Sequence, residues 1–282
     1  MKMIALILVL MIAVMSLVTT ITPGSRNYNK PNPVAEIGKE IAKPLSQVDQ
    51  LGPEINKVLD GAGVKLPSLT GNKPPKGDMK HAAQDYTGAS FANMDLPRTN
   101  FASSLLSNAQ FNDALLDGAS LESASGENVN FKGAHMEKTN LRAAMFPRSD
   151  FTGAELREAK ARAGDFTGAK FVDADLSFST FAGATLAGAD FRAAYIAGAS
   201  FIGANLASAQ FDGANLTGVR FSTASLDQAS FAGADLNSAD FAGALLGAAD
   251  FSSAVNLTSE QLAAACATAE TKFPAAVTAP RC

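Results

Sequence analysis

The side chains that enzymes use for nucleophilic or metal chemistry are scarce in this sequence. It contains two histidines, His81 and His135, and two cysteines, both within the last seventeen residues. A nucleophilic triad needs a base beside its nucleophile, and a metal site needs converging nitrogen, sulfur or carboxylate ligands. Neither histidine has such neighbours, and we find no glycine-rich phosphate loop. We therefore expect a protein that is not an enzyme and that uses no metal or cofactor.

The cysteines, Cys266 and Cys282, are candidates for a disulfide. Disulfides persist in exported compartments, and closing a loop of about fifteen residues stabilises a chain by roughly 3 kcal/mol in the chain-entropy model. The alternatives are two free thiols in a cytosolic protein and, less favoured, metal ligands. The pair favours an exported protein with a cross-linked tail.

The stretch FAGADLNSADFAGALLGAADF, residues 231–251, shows the repeat that dominates the chain. From Phe91 to Phe251 a central residue recurs at every fifth position through 33 units. It is Phe in 16 units and Leu, Met or Ile in 15, and only Gly126 and Ala161 depart. Alanine stands two residues before the centre in 24 of the 33 units. Such regularity predicts a solenoid.

A period of five does not fit a straight strand. Side chains alternate between the two faces of a strand, so successive centres would point in opposite directions. The chain must therefore turn a corner within each unit to bring every centre to the inside. Glycine is frequent two residues after the centre, as in FTGA and FAGA, and it suits a corner with demanding backbone angles. The alanines leave room for the converging large residues.

The units A-D-L-N-S, A-D-F-A-G and A-N-L-T-G resemble those of the pentapeptide repeat family. The resemblance covers residues 87–255 and implies an all-β solenoid, a right-handed quadrilateral β-helix with four units per coil and about eight coils. The tail, residues 256–282, is similar to the ending of exported bacterial members. We expect it to cap the solenoid, with Thr258 and Gln261 forming a capping box for a short closing helix.

The irregular centres between residues 121 and 166 compensate one another in volume. Where one face of the implied helix shrinks, at Leu141 and Ala161, its neighbour grows, at Phe146 and Phe166. Because volume is conserved within each layer, we expect the β-helix to continue through these coils with local distortion.

Two surface patches are candidates for partner binding. The implied geometry stacks Arg142 on Arg162 about 5 Å apart, where like charges are unfavourable without a partner. The full basic patch predicts docking of an acidic partner or headgroup, unless Glu155 and Glu158 neutralise it. The second patch is an outward aromatic pair. The candidate residues are Arg142, Arg148, Arg157, Lys160 and Arg162 in the first patch, and Phe178 and Tyr195 in the second.

The N-terminal third differs from the repeats. Residues 1–24 contain an apolar run, 4–21, that predicts a membrane anchor or a cleaved signal peptide, so that the rest lies on the periplasmic side of a bacterial inner membrane. Residues 31–66 favour short amphipathic helices interrupted by prolines. Within them, residues 33–60 could cap the solenoid or support oligomerisation, and residues 67–86 predict a linker.

The charge of the repeats bears on the choice of partner. Residues 87–255 carry eleven Lys or Arg against eighteen Asp or Glu, which argues against nucleic acid as a partner. We expect a membrane-tethered scaffold or protein-interaction module, with an accessory role in a membrane complex. The alternative hypothesis, which the resemblance implies, is a cytosolic DNA mimic that inhibits topoisomerases.

Overall fold

The computed structural model describes residues 82–282, in which each residue just before a repeat centre pairs with the residue twenty positions further on. The parallel bridges run from Asp85 with Leu105 to Asp235 with Val255, and four of them occur in every twenty residues. Across residues 82–282 these bridges are isolated, and the backbone forms no longer strand and no helix. The described chain is therefore a four-sided solenoid whose coils contain twenty residues, as the family resemblance implies.

The four sides are named here by their repeat centres. Each face contributes one centre to a coil, and centres on one face recur every twenty residues. Face A runs from Phe91 to Phe251, face B from Leu96 to Leu236, face C from Phe101 to Phe241, and face D from Tyr86 to Leu246.

Each corner is a tight turn that begins at the repeat centre. In the unit centred on Phe231, the N–H of Ala234 donates to the carbonyl of Phe231 at 3.1 Å. The third residue of this turn, Gly233, has a φ of 67°, the left-handed conformation that glycine adopts without strain. The glycine pattern thus correctly indicated the corners. Other residue types occupy the same turn position with similar φ, such as Ser238 at 56°.

The core is formed by the centres and by the small residues two positions before them. Every centre from Phe101 to Phe251 is buried. On face A the nine phenylalanines form one continuous stack, with neighbouring ring centroids 4.4 to 5.2 Å apart and ring planes within 15° of parallel. Rings from the opposite faces A and C meet edge to face, as Phe211 and Phe221 do at 5.7 Å. These are the offset and perpendicular arrangements that aromatic rings favour.

The ladder continues through the irregular coils, and the expected local distortion is present there. Bridges join Ser125 to Met145 and Met145 to Asp165 without a gap. At Gly126 the usual turn hydrogen bond is replaced, because the N–H of Val129 donates to Ser149 Oγ at 3.0 Å. Both the continuity and the distortion predicted from the centres are therefore confirmed.

Volume is exchanged between faces C and D in these coils. The Phe166 ring on face D meets the ring of Phe181, the face C centre one coil above Ala161, with centroids 5.4 Å apart. Gly164 lies two positions before the centre Phe166, and a Cβ at Gly164 would lie 2.5 Å from Phe166 Cε2. Ala161 and Gly164 thus both leave space for one large ring.

The predicted closing helix is absent from the tail. Thr258 and Gln261 do form the reciprocal capping-box bonds, at 2.7 and 3.4 Å, but residues 259–264 form only turns. The reason is geometric, since Cys266 pairs with Leu245 across 21 residues, one more than in a regular coil. A single extra residue leaves no room for a helix.

The tail nevertheless closes the upper end of the solenoid. Gln261 Nε2 donates to the carbonyls of Leu236 and Ala239 at 2.8 and 3.0 Å, which satisfies acceptors at the end of the ladder. Phe273 extends the face A stack, with its ring 5.7 Å from that of Phe251. The tail therefore continues both the ladder and the core.

A disulfide joins Cys266 and Cys282, the two cysteines of the chain. Next to it the N–H of Ala267 donates to the carbonyl of Pro280 at 2.9 Å, and the N–H of Cys282 donates to the carbonyl of Ala267 at 3.1 Å. The cross-link and this backbone pairing hold the last residues against the final coil.

The ladder extends at least four residues before the predicted repeat boundary at residue 87. The N–H of Ala83 donates to the carbonyl of Ala102 at 2.8 Å, and Tyr86 occupies a centre position with its ring 5.2 Å from that of Phe91. Residues 82–86, which the sequence placed in a linker, thus belong to the first coil.

Several predictions fall on residues outside the described range. These are the membrane anchor or signal peptide at 1–24, its apolar run at 4–21, the amphipathic segment 31–66, capping or oligomerisation through 33–60, and the linker 67–86 as far as residue 81. Between residues 82 and 282 no helix has the length and apolar character that a membrane crossing requires.

Candidate interaction surfaces

The twenty-residue register divides the predicted basic patch among three faces. Arg142, Lys160 and Arg162 are exposed beside the centres of face C. Arg157 follows a centre of face B, and Arg148 lies two residues after a centre of face D. We call Arg142, Lys160 and Arg162 the basic face.

Residues of neighbouring coils meet on the basic face. The amide Nδ2 of Asn140 donates to Glu122 Oε2 at 3.0 Å, and these residues are eighteen apart in sequence. Lys160 and Arg142 have the same separation and the same positions relative to their centres. The three cations of the basic face therefore lie side by side.

Only one of these cations has an acidic partner in the described part of the chain. Arg142 Nε is 4.0 Å from Glu122 Oε1. Among residues 82–282, no carboxylate lies within ion-pair distance of Lys160 or Arg162. The basic face thus has unbalanced positive charge in a repeat region that is acidic overall.

Arg157 belongs instead to a compensated network on face B. Its guanidinium lies 3.7 Å from Glu137 and 3.6 Å from Asp175, and Lys138 Nζ lies 2.5 Å from Glu137 and 3.5 Å from Glu158. The hydrogen bond and charge of Lys138 lower the pKa of Glu137, and Glu137 in turn raises the pKa of Lys138. These charges balance locally, so Arg157 contributes little free positive charge.

The predicted neutralising residues have other partners. Glu155 lies 3.1 Å from His135 Nδ1, and Glu158 pairs with Lys138. Arg148 pairs with Glu127 on face D. Neutralisation of the basic face by Glu155 and Glu158 is therefore not seen.

The predicted aromatic pair is exposed on face B. Phe178 is 69% and Tyr195 is 60% exposed, which makes them the most exposed large hydrophobic side chains of the described residues. They lie in consecutive coils, because Tyr195 pairs with Asp175 in the ladder. No ring contact joins them within the described range. Each presents a separate apolar surface.

The carboxylates of the described residues do not gather into a metal site. No group of three or more His, Cys, Asp or Glu residues there could hold a metal ion. Many aspartates accept a hydrogen bond from the backbone two residues on, as Asp165 Oδ1 does from the N–H of Thr167 at 2.9 Å. These carboxylates support turns.

Sequence profiles identify the repeats. A profile described as pentapeptide repeat region matches residues 174–251, and one described as pentapeptide repeats (8 copies) matches residues 87–122 and 127–160. The chain therefore belongs to the pentapeptide repeat family. Proteins of this family form right-handed quadrilateral β-helices and are generally structural or interaction modules, not enzymes. No curated protein matches the chain.

Solved structures of pentapeptide repeat proteins are similar to this chain. HetL, involved in heterocyst differentiation regulation in the cyanobacterium Nostoc sp. strain PCC 7120, is 29% identical over 61% of this chain and 84% of its own, with a TM-score of 0.28. The plasmid-mediated fluoroquinolone resistance protein QnrB1 is 18% identical over 66% and 94%, with a TM-score of 0.33. A protein of the Arabidopsis thaliana thylakoid lumen is 22% identical over 62% and 74%, with a TM-score of 0.14. At these TM-scores, the likenesses carry no inference about function.

Proposed function

We propose that this protein is a non-enzymatic scaffold that binds a protein partner through the basic face while tethered on the exported side of a bacterial inner membrane. The family supports the general class, because pentapeptide repeat proteins act through protein interactions. The partner, the tether and the location are specific to this proposal.

The basic face is the observation that carries the proposal. Residues twenty apart in sequence stand one coil apart, about 5 Å, so Arg142 and Arg162 repel each other and Lys160 adds to the repulsion. Repulsion of this kind destabilises a folded chain unless an anion offsets it. Glu122 offsets only Arg142 among the described residues. An acidic surface on a partner would neutralise the remaining charge.

Two features support an exported and tethered location. The apolar run 4–21 has the length of a signal-peptide core or a short membrane span, and the Cys266–Cys282 disulfide suits an oxidising compartment. We expect a phosphatase reporter fused after Cys282 to be active in the periplasm. Activity only of a cytoplasmic reporter would contradict the tether and would favour the cytosolic DNA mimic.

Partner binding is tested by crosslinking in membranes followed by pull-down. The variant Arg142→Glu/Arg162→Glu inverts the basic face, and Arg98→Glu/Arg220→Glu changes the net charge by the same amount elsewhere. We expect the first variant to lose the crosslinked partner and the second to retain it. Equal recovery of partner by the wild type and Arg142→Glu/Arg162→Glu would overturn the proposal.

A further inference from the structure

Phe178 combines high exposure with a left-handed backbone. Its φ is 59°, and no other left-handed position among residues 82–282 carries an aromatic or a large apolar side chain. The residues in the same position of neighbouring coils on face B are Glu158 and Gly198. A bulky residue in this conformation is strained, and exposure removes the usual benefit of burial. Strain held at an exposed position is a recognised mark of a functional site.

The Phe178 ring is supported from the coil above. A Cβ on Gly198 would lie 2.8 Å from both Cδ1 and Cε1 of Phe178, so the ring rests against the Cα of this glycine. Any side chain at position 198 would displace it. The ring is therefore held as a platform with its remaining surface open to solvent, an arrangement that lowers the entropic cost of binding.

The backbone of Phe178 is one coil above the unpaired cations of the basic face. Phe178 is two residues before Thr180, and Thr180 pairs with Lys160 in the ladder. Arg162 follows Lys160 by two residues on the same exposed side of face C. We call Phe178, Lys160 and Arg162 the corner surface, because it extends from the corner between faces B and C, at Phe178, across face C to Arg162.

We propose that the corner surface binds a short acidic segment of a protein, whose apolar side chain packs on the Phe178 ring while its carboxylates pair with Lys160 and Arg162. This inference rests on the proposed function and specifies the chemistry of the partner. Aromatic and arginine side chains are the residues that most often anchor protein interfaces.

The size and surroundings of the corner surface favour a short peptide segment. Its residues lie in two adjacent coils, about 5 Å apart, which matches a few peptide residues. Acidic groups flank it, with Glu158 below Phe178 and Asp175 three residues before it. A long polyanion or a flat anionic membrane would meet these carboxylates as well, and like charges oppose such contacts.

The absence of tryptophan from the chain provides a direct assay. In full-length protein, Phe178→Trp keeps an aromatic platform and introduces a single tryptophan. Its emission is followed during titration with an octapeptide of Asp and Glu that contains one central leucine. The comparison titrations use the same peptide with glycine in place of leucine, phosphatidylglycerol vesicles, and an oligothymidine of eight nucleotides. Leu245→Trp, at a half-exposed position on face D, is the matched control.

We expect a saturable blue shift with the leucine peptide for Phe178→Trp and none for Leu245→Trp. Adding Lys160→Glu/Arg162→Glu should weaken binding at least about tenfold, as loss of two charge pairs implies. No shift at millimolar peptide, or an equal shift in Leu245→Trp, would overturn the inference. A stronger response to vesicles or oligonucleotide would also overturn it and would assign the surface to that ligand.

The two proposals can fail separately. If the peptide does not bind but partner recovery still depends on Arg142 and Arg162, the proposed function stands and the corner surface does not. If the tryptophan responds but recovery is independent of those arginines, the basic face fails as the partner site.

Discussion

The irregular coils, with centres from Leu121 to Phe166, and the regular coils, with centres from Phe171 to Phe251, share one backbone ladder but differ in core and surface. In the regular coils Phe occupies faces A and C, and Leu or Ile occupies faces B and D. In the irregular coils face C carries Leu or Ala and face D carries Gly or Phe. The same backbone ladder thus accommodates two different sets of core side chains.

The surfaces of the two regions differ in charge. Residues 119–168, which contain the irregular coils, carry seven Lys or Arg against seven Asp or Glu, whereas residues 169–253, which contain the regular coils, carry three against eight. The basic face lies beside the irregular centres Leu141 and Ala161. The regular coils thus have a uniform core, while the departures from it coincide with the basic face.

The largest expected effect is the loss of a stacked ring from the regular coils. Phe211 is fully buried between Phe191 and Phe231, with ring centroids 4.9 and 5.0 Å away. Phe211→Ala should lower the free energy of unfolding by about 3–5 kcal/mol, measured by urea denaturation with far-UV circular dichroism. Phe211→Leu is the control and should cost less. If Phe211→Ala lost under 1 kcal/mol, the uniform stack would not be the main source of stability.

The next largest expected loss of stability comes from removing the disulfide at the capped end of the regular coils. Cys266→Ser/Cys282→Ser opens a loop of 16 residues and should cost roughly 3 kcal/mol in the chain-entropy model. The wild type under reducing conditions should shift equally in urea denaturation, while the double variant should be insensitive to reductant. A reductant effect that persisted in the double variant would contradict this assignment.

Much of the fold could be predicted from the repeat, because the large residue at every fifth position and the glycine after it indicate a solenoid with a corner in each unit. The number of units in a coil came from the family resemblance. The exchange of volume at Ala161 and Phe166 was also predictable. The role of Gly164 was not, since glycine usually signals a turn and here it makes space for the Phe166 ring. The closing helix was wrong because a capping box reports local bonds and not the length available to the chain.

The surface was predicted less completely than the core. The register alone assigns Arg148 to a different face from Arg142, and it places Phe178 at a left-handed turn position, so both signals were present in the sequence. The pairing of Arg157 with Glu137 and Asp175 was not predictable. Long charged side chains reach several neighbours, and small differences in free energy decide among them.

An effect of intermediate size is expected when the space that Gly164 leaves for the Phe166 ring is filled. In Gly164→Ala the new Cβ would meet Phe166 Cε2 and the Ala144 carbonyl, at 2.5 and 2.9 Å. Overpacking should cost about 1–3 kcal/mol. Phe166→Leu removes the ring contact, so a double-mutant cycle in urea should show a favourable coupling of roughly 0.5–3 kcal/mol. Purely additive effects would mean that Gly164 and Phe166 do not share this space.

The smallest expected effect is electrostatic and lies where the regular coils meet the tail. Hydrogen bonds from Ser252 and the nearby Lys272, 2.9 Å away, lower the pKa of Asp250 from 3.8 to about 2. Because the folded state holds the ionised form, this stabilisation is complete above pH 3.8 and is lost as the pH falls through about 2.

The variant Asp250→Asn tests this carboxylate, since an amide oxygen can still accept from the N–H of Ser252. It should cost about 0.2–1 kcal/mol near neutral pH, as expected for an exposed pair, and nothing at the acid limit. The control is Asp150→Asn, in the same position of face A, where Asp150 Oδ1 accepts from the N–H of Thr152 and no ion pair forms within the described residues. It should change urea denaturation less than Asp250→Asn does near neutral pH. A pH-independent cost for Asp250→Asn would show that its geometry stabilises the end of the regular coils, and that its charge does not.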